Sequence, residues 1–187
     1  ERTIIIDRRD NKEIKIEADG LHPASSEVLS LWNCEIPCYV YGPSGSGKTR
    51  GMAELAKILG VPYYRRAVGR QMTETGLMGY QSPHNDEYVK SILYEGYIQP
   101  SVTVVDEIDA GNSNCCLVIN QMLDGDECYF PGKGMVKRHP EARFAVLANS
   151  IGNGADLEYV GRNPLDKAFL NRFGFVFWDY DTKNLMN

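Results

Sequence analysis

Apolar residues are distributed along the chain in short β-branched runs that alternate with stretches of helical spacing. Thr3 to Asp7 and Glu13 to Glu17 flank the polar Arg8-Arg9-Asp10-Asn11-Lys12, a pattern that predicts a β-hairpin over residues 1–20. Leu21-His22-Pro23 leads into Ser25-Ser26-Glu27, the start of a short helix through Leu31 and Trp32. Ile36 to Tyr41 reads as a buried strand, and Met52, Leu55, Ala56 and Leu59 form one helix face that ends at Gly60. Val61 to Val68 is a second strand. Beyond the polar segment Gly69 to Asn85, the spacing of Val89, Ile92 and Leu93 predicts a helix from Asp86 that stops at Gly96.

The second half repeats the alternation. Val102 to Val105 is a strand, Asn112 to Leu123 a helix, and Glu127 to Lys137 a hairpin turning at Pro131-Gly132-Lys133-Gly134. Phe144 to Ala148 is a buried strand, Pro164 to Asn171 a short helix, and Phe175 to Trp178 the last strand. Strands alternating with helices predict an α/β fold with a doubly wound parallel sheet over residues 21–187.

Between the first buried strand and its helix lies Gly42-Pro43-Ser44-Gly45-Ser46-Gly47-Lys48-Thr49. This fits the phosphate-loop pattern G-x-x-x-x-G-K-[ST] in its proper strand-to-helix context. Glycines let the backbone curl so that its N–H groups face a phosphate, and the helix adds the positive end of its dipole. Lys48 would reach the β- and γ-phosphates, and the Thr49 hydroxyl would hold Mg²⁺.

The strand from Val102 ends in Asp106-Glu107, at the sheet edge where ligands bind in α/β folds. Asp106 would join the Mg²⁺ shell and Glu107 would orient the attacking water. Asn149, at another strand end, can cap a turn or fix that water. Leu77-Met78-Gly79-Tyr80 puts apolar residues in a polar segment, either folded onto the core or gripping a partner.

Composition narrows the class. The chain has 187 residues, 43% hydrophobic and 24% charged, which suits a globular domain with a real core. No stretch approaches a membrane span. The net charge of −5 gives no global reason to expect a nucleic-acid partner. Five cysteines without paired C-x-x-C spacing, and three histidines, favour reduced structural thiols over zinc or disulfides. Glu1 in place of Met, with no signal-peptide pattern after it, suggests a piece of a longer cytoplasmic protein.

With GPSGSGKT, VTVVDEID, the Asn149 strand and LDKAFLNRF in this order, the chain resembles an AAA+ ATPase. His22-Pro23, Phe130-Pro131-Gly132, Arg138-His139-Pro140 and Tyr159-Val160-Gly161-Arg162-Asn163 are similar to the MoxR, cobaltochelatase small-subunit and dynein-related branch, which includes phage-encoded members. The resemblance implies strand order 5-1-4-3-2, with Asn149 as sensor 1. It implies that Arg172 is an arginine finger serving ATP bound by a neighbouring subunit, with Arg162 as a second inter-subunit contact. It places Leu77 to Tyr80 at a central-pore loop that meets a protein client, and implies a hexameric ring that hydrolyses ATP with Mg²⁺. The family continues into a helical lid with a sensor-2 arginine, whereas this sequence stops at Asn187. The alternatives are a nucleotide-dependent binding switch with little turnover and a GTP-using relative.

Overall fold

The computed structural model describes residues 3–7, 13–17, 20–154 and 163–181. The hairpin pairs β1 (Thr3–Asp7) with β2 (Glu13–Glu17), antiparallel, Thr3 opposite Glu17. Its expected turn, residues 8–12, lies outside the described residues. Then follow α1 (Ser25–Asn33), β3 (Cys38–Tyr41), α2 (Lys48–Leu59), β4 (Tyr63–Ala67), α3 (Glu74–Met78), β5 (Tyr80–Gln81) and β6 (Tyr88–Val89). The second half contains α4 (Ile92–Tyr97), β7 (Ser101–Asp106), a 3₁₀ turn (Ile108–Ala110), α5 (Ser113–Leu123), β8 (Glu127–Phe130), β9 (Gly134–Lys137), β10 (Ala142–Ala148), α6 (Lys167–Leu170) and β11 (Gly174–Phe177).

Five strands form one parallel sheet in the order β11-β3-β10-β7-β4. Counted within the sheet, that is the 5-1-4-3-2 order the resemblance implied. Side chains alternate along each strand, so the sheet feeds two cores. Tyr39, Val105 and Val146 pack on one face with α3, α4 and α5. Val40, Val104 and Leu147 pack on the other with α1 and α2. All three central strands bring their carboxyl ends to one edge.

Several local expectations needed correction. The helix expected from Asp86 begins only at Ile92, because Asp86 is left-handed at φ 58° and Tyr80 and Gln81 pair with Val89 and Tyr88. Ser91 then caps the helix, its hydroxyl accepting the Tyr94 N–H at 3.1 Å. Gly96 does not stop that helix but lies within it. A Cβ there would come within 1.8 Å of Thr103 Oγ1, so α4 sits against β7 only because position 96 has no side chain. Gly96→Ala is expected to overpack this contact, cost about 1–3 kcal/mol, and lower the thermal midpoint by several degrees. An unchanged midpoint would contradict the close packing.

The first strand starts at Cys38 rather than Ile36, since Pro37 has no N–H to give the ladder. The helix expected over Pro164 to Asn171 is shorter. Pro164 bridges to Asn153, and Asp166 caps the helix through the Ala168 N–H at 2.8 Å.

Candidate functional site

The segment Gly42 to Thr49 joins β3 to α2 at the carboxyl edge of the sheet. Gly47 takes the left-handed conformation, φ 86°, and caps α2. The first helical bond runs from the Gly51 N–H to Gly47 O at 2.8 Å. The loop thus sits at the N-terminus of α2, where the helix dipole favours an anion. Lys48 is 7% exposed. Its Nζ donates to Gly42 O at 2.7 Å, Pro43 O at 2.8 Å and Asn149 Oδ1 at 3.1 Å. Thr49 Oγ1 donates to Asp106 Oδ2 at 2.9 Å. Thus Lys48, Thr49, Asp106 and Asn149, all singled out in the sequence, meet at one point.

Glu107 leaves the strand abruptly. It is left-handed at φ 58° and ψ 38°, exposed, and its N–H is held by Asp106 Oδ1 at 2.9 Å. A non-glycine residue in that conformation costs about 1–3 kcal/mol. The turn separates the two acids: Asp106 points at Thr49, while Glu107 faces solvent beside it.

Further groups support the loop that the sequence did not flag. Arg65 on β4 donates through Nε to Asp106 Oδ2 at 2.8 Å and adds a second contact at 2.7 Å. Tyr63 donates to Thr49 O at 3.3 Å, and burial pushes its phenol up to about 12, so it stays protonated. Trp178 underlies the loop. Its indole N–H donates to Ser46 O at 3.2 Å, and its backbone lies where a Cβ on Gly42 would sit, 2.0 Å from Trp178 O. Its ring fills the space beside Gly51, and a glycine inside an amphipathic helix was the one sequence signal of such a neighbour. Tyr180 hooks the other side of the loop, its hydroxyl donating to Ser44 O at 2.7 Å. His22 stacks on Trp178, ring centroids 4.1 Å apart. Its Nδ1 accepts the Ala24 N–H, which leaves the proton on Nε2 to donate to Asp179 O at 2.9 Å.

Asp109 is the largest omission. It is fully buried, and its Oδ2 accepts the N–H groups of Asn149 and Ser150, both at 3.1 Å, and the Ser150 hydroxyl at 2.9 Å. Its carbonyl accepts the Asn163 N–H at 2.9 Å. Asp109 thereby fixes the backbone that presents Asn149 to Lys48. Asp109→Ala would orphan two backbone donors and a hydroxyl at about 1–3 kcal/mol each when buried. The expected loss in urea unfolding is about 3–5 kcal/mol, and a loss below 1 kcal/mol would contradict this role.

Arg172 stands apart from this cluster. Its guanidinium forks onto Asp124, Nε to Oδ1 at 3.0 Å and the second arm to Oδ2 at 3.1 Å, rather than onto the phosphate loop of its own chain. Arg162 lies outside the described residues. The gripping role for Leu77 to Tyr80 is corrected in part. Leu77 and Met78 are each 1% exposed and pack in the core, because α3 turns them inward, while Tyr80 is 45% exposed. All five cysteines are free, and four are buried. Burial pushes the Cys116 thiol up to about 12 and the Cys128 thiol up to about 11, which keeps both protonated. Among the described residues no helix is long and apolar enough to cross a membrane.

Similarity to known proteins agrees with this geometry. The sequence pattern of the family described as AAA domain (dynein-related subfamily) matches residues 37–173. An uncharacterized protein of Staphylococcus epidermidis is 26% identical over 148 residues, 74% of this chain and 54% of that protein. Midasin of Dictyostelium discoideum is 30% identical over 144 residues, 73% of this chain and 2% of midasin. This chain therefore spans about half the length of the staphylococcal relative and a small part of midasin. The crystal structure of a putative ATPase from Cytophaga hutchinsonii superposes with a TM-score of 0.60 over 81% of this chain and 44% of that one, at 18% identity, which supports the shared fold. Because the family pattern covers β3 through Phe173, including the phosphate loop, Asp106-Glu107 and Asn149, the chain belongs to the dynein-related subfamily of AAA domains, within the AAA+ ATPases of MoxR and dynein-related type.

Proposed function

We propose that this chain binds ATP with Mg²⁺ at Gly42 to Thr49 and hydrolyses it, and that Arg172 from an adjacent copy completes the site in a ring. The observation that carries the reading is the convergence of Lys48 and Thr49 from the loop with Asn149 and Asp106 from two neighbouring strands. A hydroxyl and a carboxylate oxygen 2.9 Å apart form a hard-oxygen pair suited to Mg²⁺. The N-terminus of α2 and the ammonium of Lys48 suit phosphate oxygens. Bound Mg²⁺ would supply charge neutralisation on the β- and γ-phosphates. In this reading Gly42, Pro43, Ser44, Gly45, Ser46 and Gly47 wrap the phosphates, and Lys48 holds their charge. Glu107 orients the attacking water and accepts its proton. Asn149, anchored by Asp109, positions that water.

The ring draws support from the surface around Arg172, where Leu117, Tyr129 and Met135 are 65%, 51% and 62% exposed. Large apolar residues gathered beside a half-exposed arginine suit an interface. Residues 1–20 act as an appended hairpin and 21–187 as the nucleotide-binding unit. Turnover in the ring drives remodelling of a protein client, with Tyr80 as the exposed contact.

Phosphate release from ATP, followed against protein concentration with and without Mg²⁺, tests the proposal. Release that needs Mg²⁺ and a specific activity that rises with concentration are expected. Constant specific activity would remove the ring, and absence of nucleotide affinity would remove the site. ATP is expected to out-compete GTP for binding. A second reading, a nucleotide-operated switch with little turnover, draws on the Arg65–Asp106 ion pair, which partly neutralises the metal carboxylate. It would be favoured by tight binding without phosphate release at any concentration.

A further inference from the structure

A cavity of about 250 Å³ opens at the amino edge of the sheet, the side opposite the phosphate loop. It lies where β7 and β10 begin, walled by α1, α4, α5 and the end of β9. Trp32, Leu93, Met122 and Phe144 give it an apolar body. Its polar lining is uneven. Arg138 and Arg143 are half-buried, whereas the acids Glu35 and Asp126 are exposed at the rim. The Arg138 backbone is anchored through its N–H to Asp126 O at 2.6 Å, whereas among the described residues its guanidinium meets only the carboxylate of Asp126, a side chain 79% exposed, at 3.5 Å. Tyr97 also lines the cavity at 4% exposure, and its hydroxyl is sealed from solvent without a hydrogen-bond partner. Burial pushes that phenol up to about 12, so it remains a donor.

We propose that this cavity is a second ligand site, which takes a compact aromatic or branched aliphatic carboxylate. The apolar body stacks among Trp32, Leu93 and Phe144. The carboxylate meets Arg138 at the polar end, where a charge-assisted bond is stronger than a neutral one. The volume is slightly below the range of about 300–1,000 Å³ usual for drug-sized ligands, which limits the occupant to one or two rings.

The test is calorimetric titration of this chain with 2-naphthoate and, in parallel, with the uncharged 2-naphthamide. One-to-one saturable binding of the acid is expected, about tenfold or more tighter than the amide and unaffected by saturating ATP with Mg²⁺. Arg138→Met is expected to reduce the acid to the affinity of the amide. Ala142→Leu, which adds bulk to the lining at the start of β10, is expected to abolish both while retaining the thermal midpoint. The absence of binding up to millimolar acid, equal affinity for acid and amide, or displacement by ATP would each overturn the proposal. The acid and amide comparison needs no variant, so a variant that fails to fold leaves the test intact.

Discussion

Glu107→Gln is expected to leave ATP binding unchanged and to lower turnover by about 10²–10⁴-fold, the range of a lost general base. The expectation follows from where Glu107 stands. Its side chain makes none of the contacts that assemble the loop, which rest on Lys48, Thr49, Asp106 and Asn149. Its backbone is held in the left-handed region through the bond from its N–H to Asp106 Oδ1. Glutamine preserves that shape and that bond but cannot take a proton from water. Calorimetry with ATP and Mg²⁺, beside phosphate release, separates the two effects. Unchanged turnover would take the catalytic role from Glu107, and lost affinity would make its role structural.

Arg172→Ala is expected to lower turnover by about 10³–10⁵-fold if its guanidinium serves a neighbouring site. If it only pairs with Asp124, an exposed ion pair, the change costs about 0–1 kcal/mol of stability and leaves turnover alone. The two outcomes differ by orders of magnitude. Mixing sharpens the distinction. Lys48→Ala chains have no competent loop yet still carry Arg172, so adding them to Arg172→Ala chains is expected to restore part of the activity. Arg172→Ala at the wild-type rate on its own would confine Arg172 to the Asp124 pair, and a loss that mixing does not restore would contradict a role in a neighbouring site.

What could be read in the sequence was what depends on local spacing. The phosphate loop was legible because Gly47, Lys48 and Thr49 must be consecutive for the backbone to open at α2. The strand carrying Asp106 was legible because its β-branched run is buried throughout. Strand order was not derivable from the residues, since it depends on pairings far apart in the chain, and it came from the family resemblance alone. The helix expected from Asp86 failed because the Ser91 cap and the pairing of β5 with β6 outweigh apolar spacing at Val89. Leu77 and Met78 were ambiguous for the same reason: a loop residue becomes core only when a distant element, here α5, covers it. Asp109, Arg65, Trp178 and Tyr180 were missed because each acts on a residue at least 40 positions away. Asp109 had a faint signal, a third acid one turn beyond Asp106, but an acid so placed is common on surfaces.

The central claim is that Gly42 to Thr49 is an ATP site whose charge balance rests on Lys48. Calorimetric titration of ATP with Mg²⁺ into the wild-type chain and into Lys48→Ala measures it directly. The account predicts saturable one-to-one binding by the wild type, weakened at least tenfold by the substitution with the fold retained. Equal affinity in both proteins would contradict it.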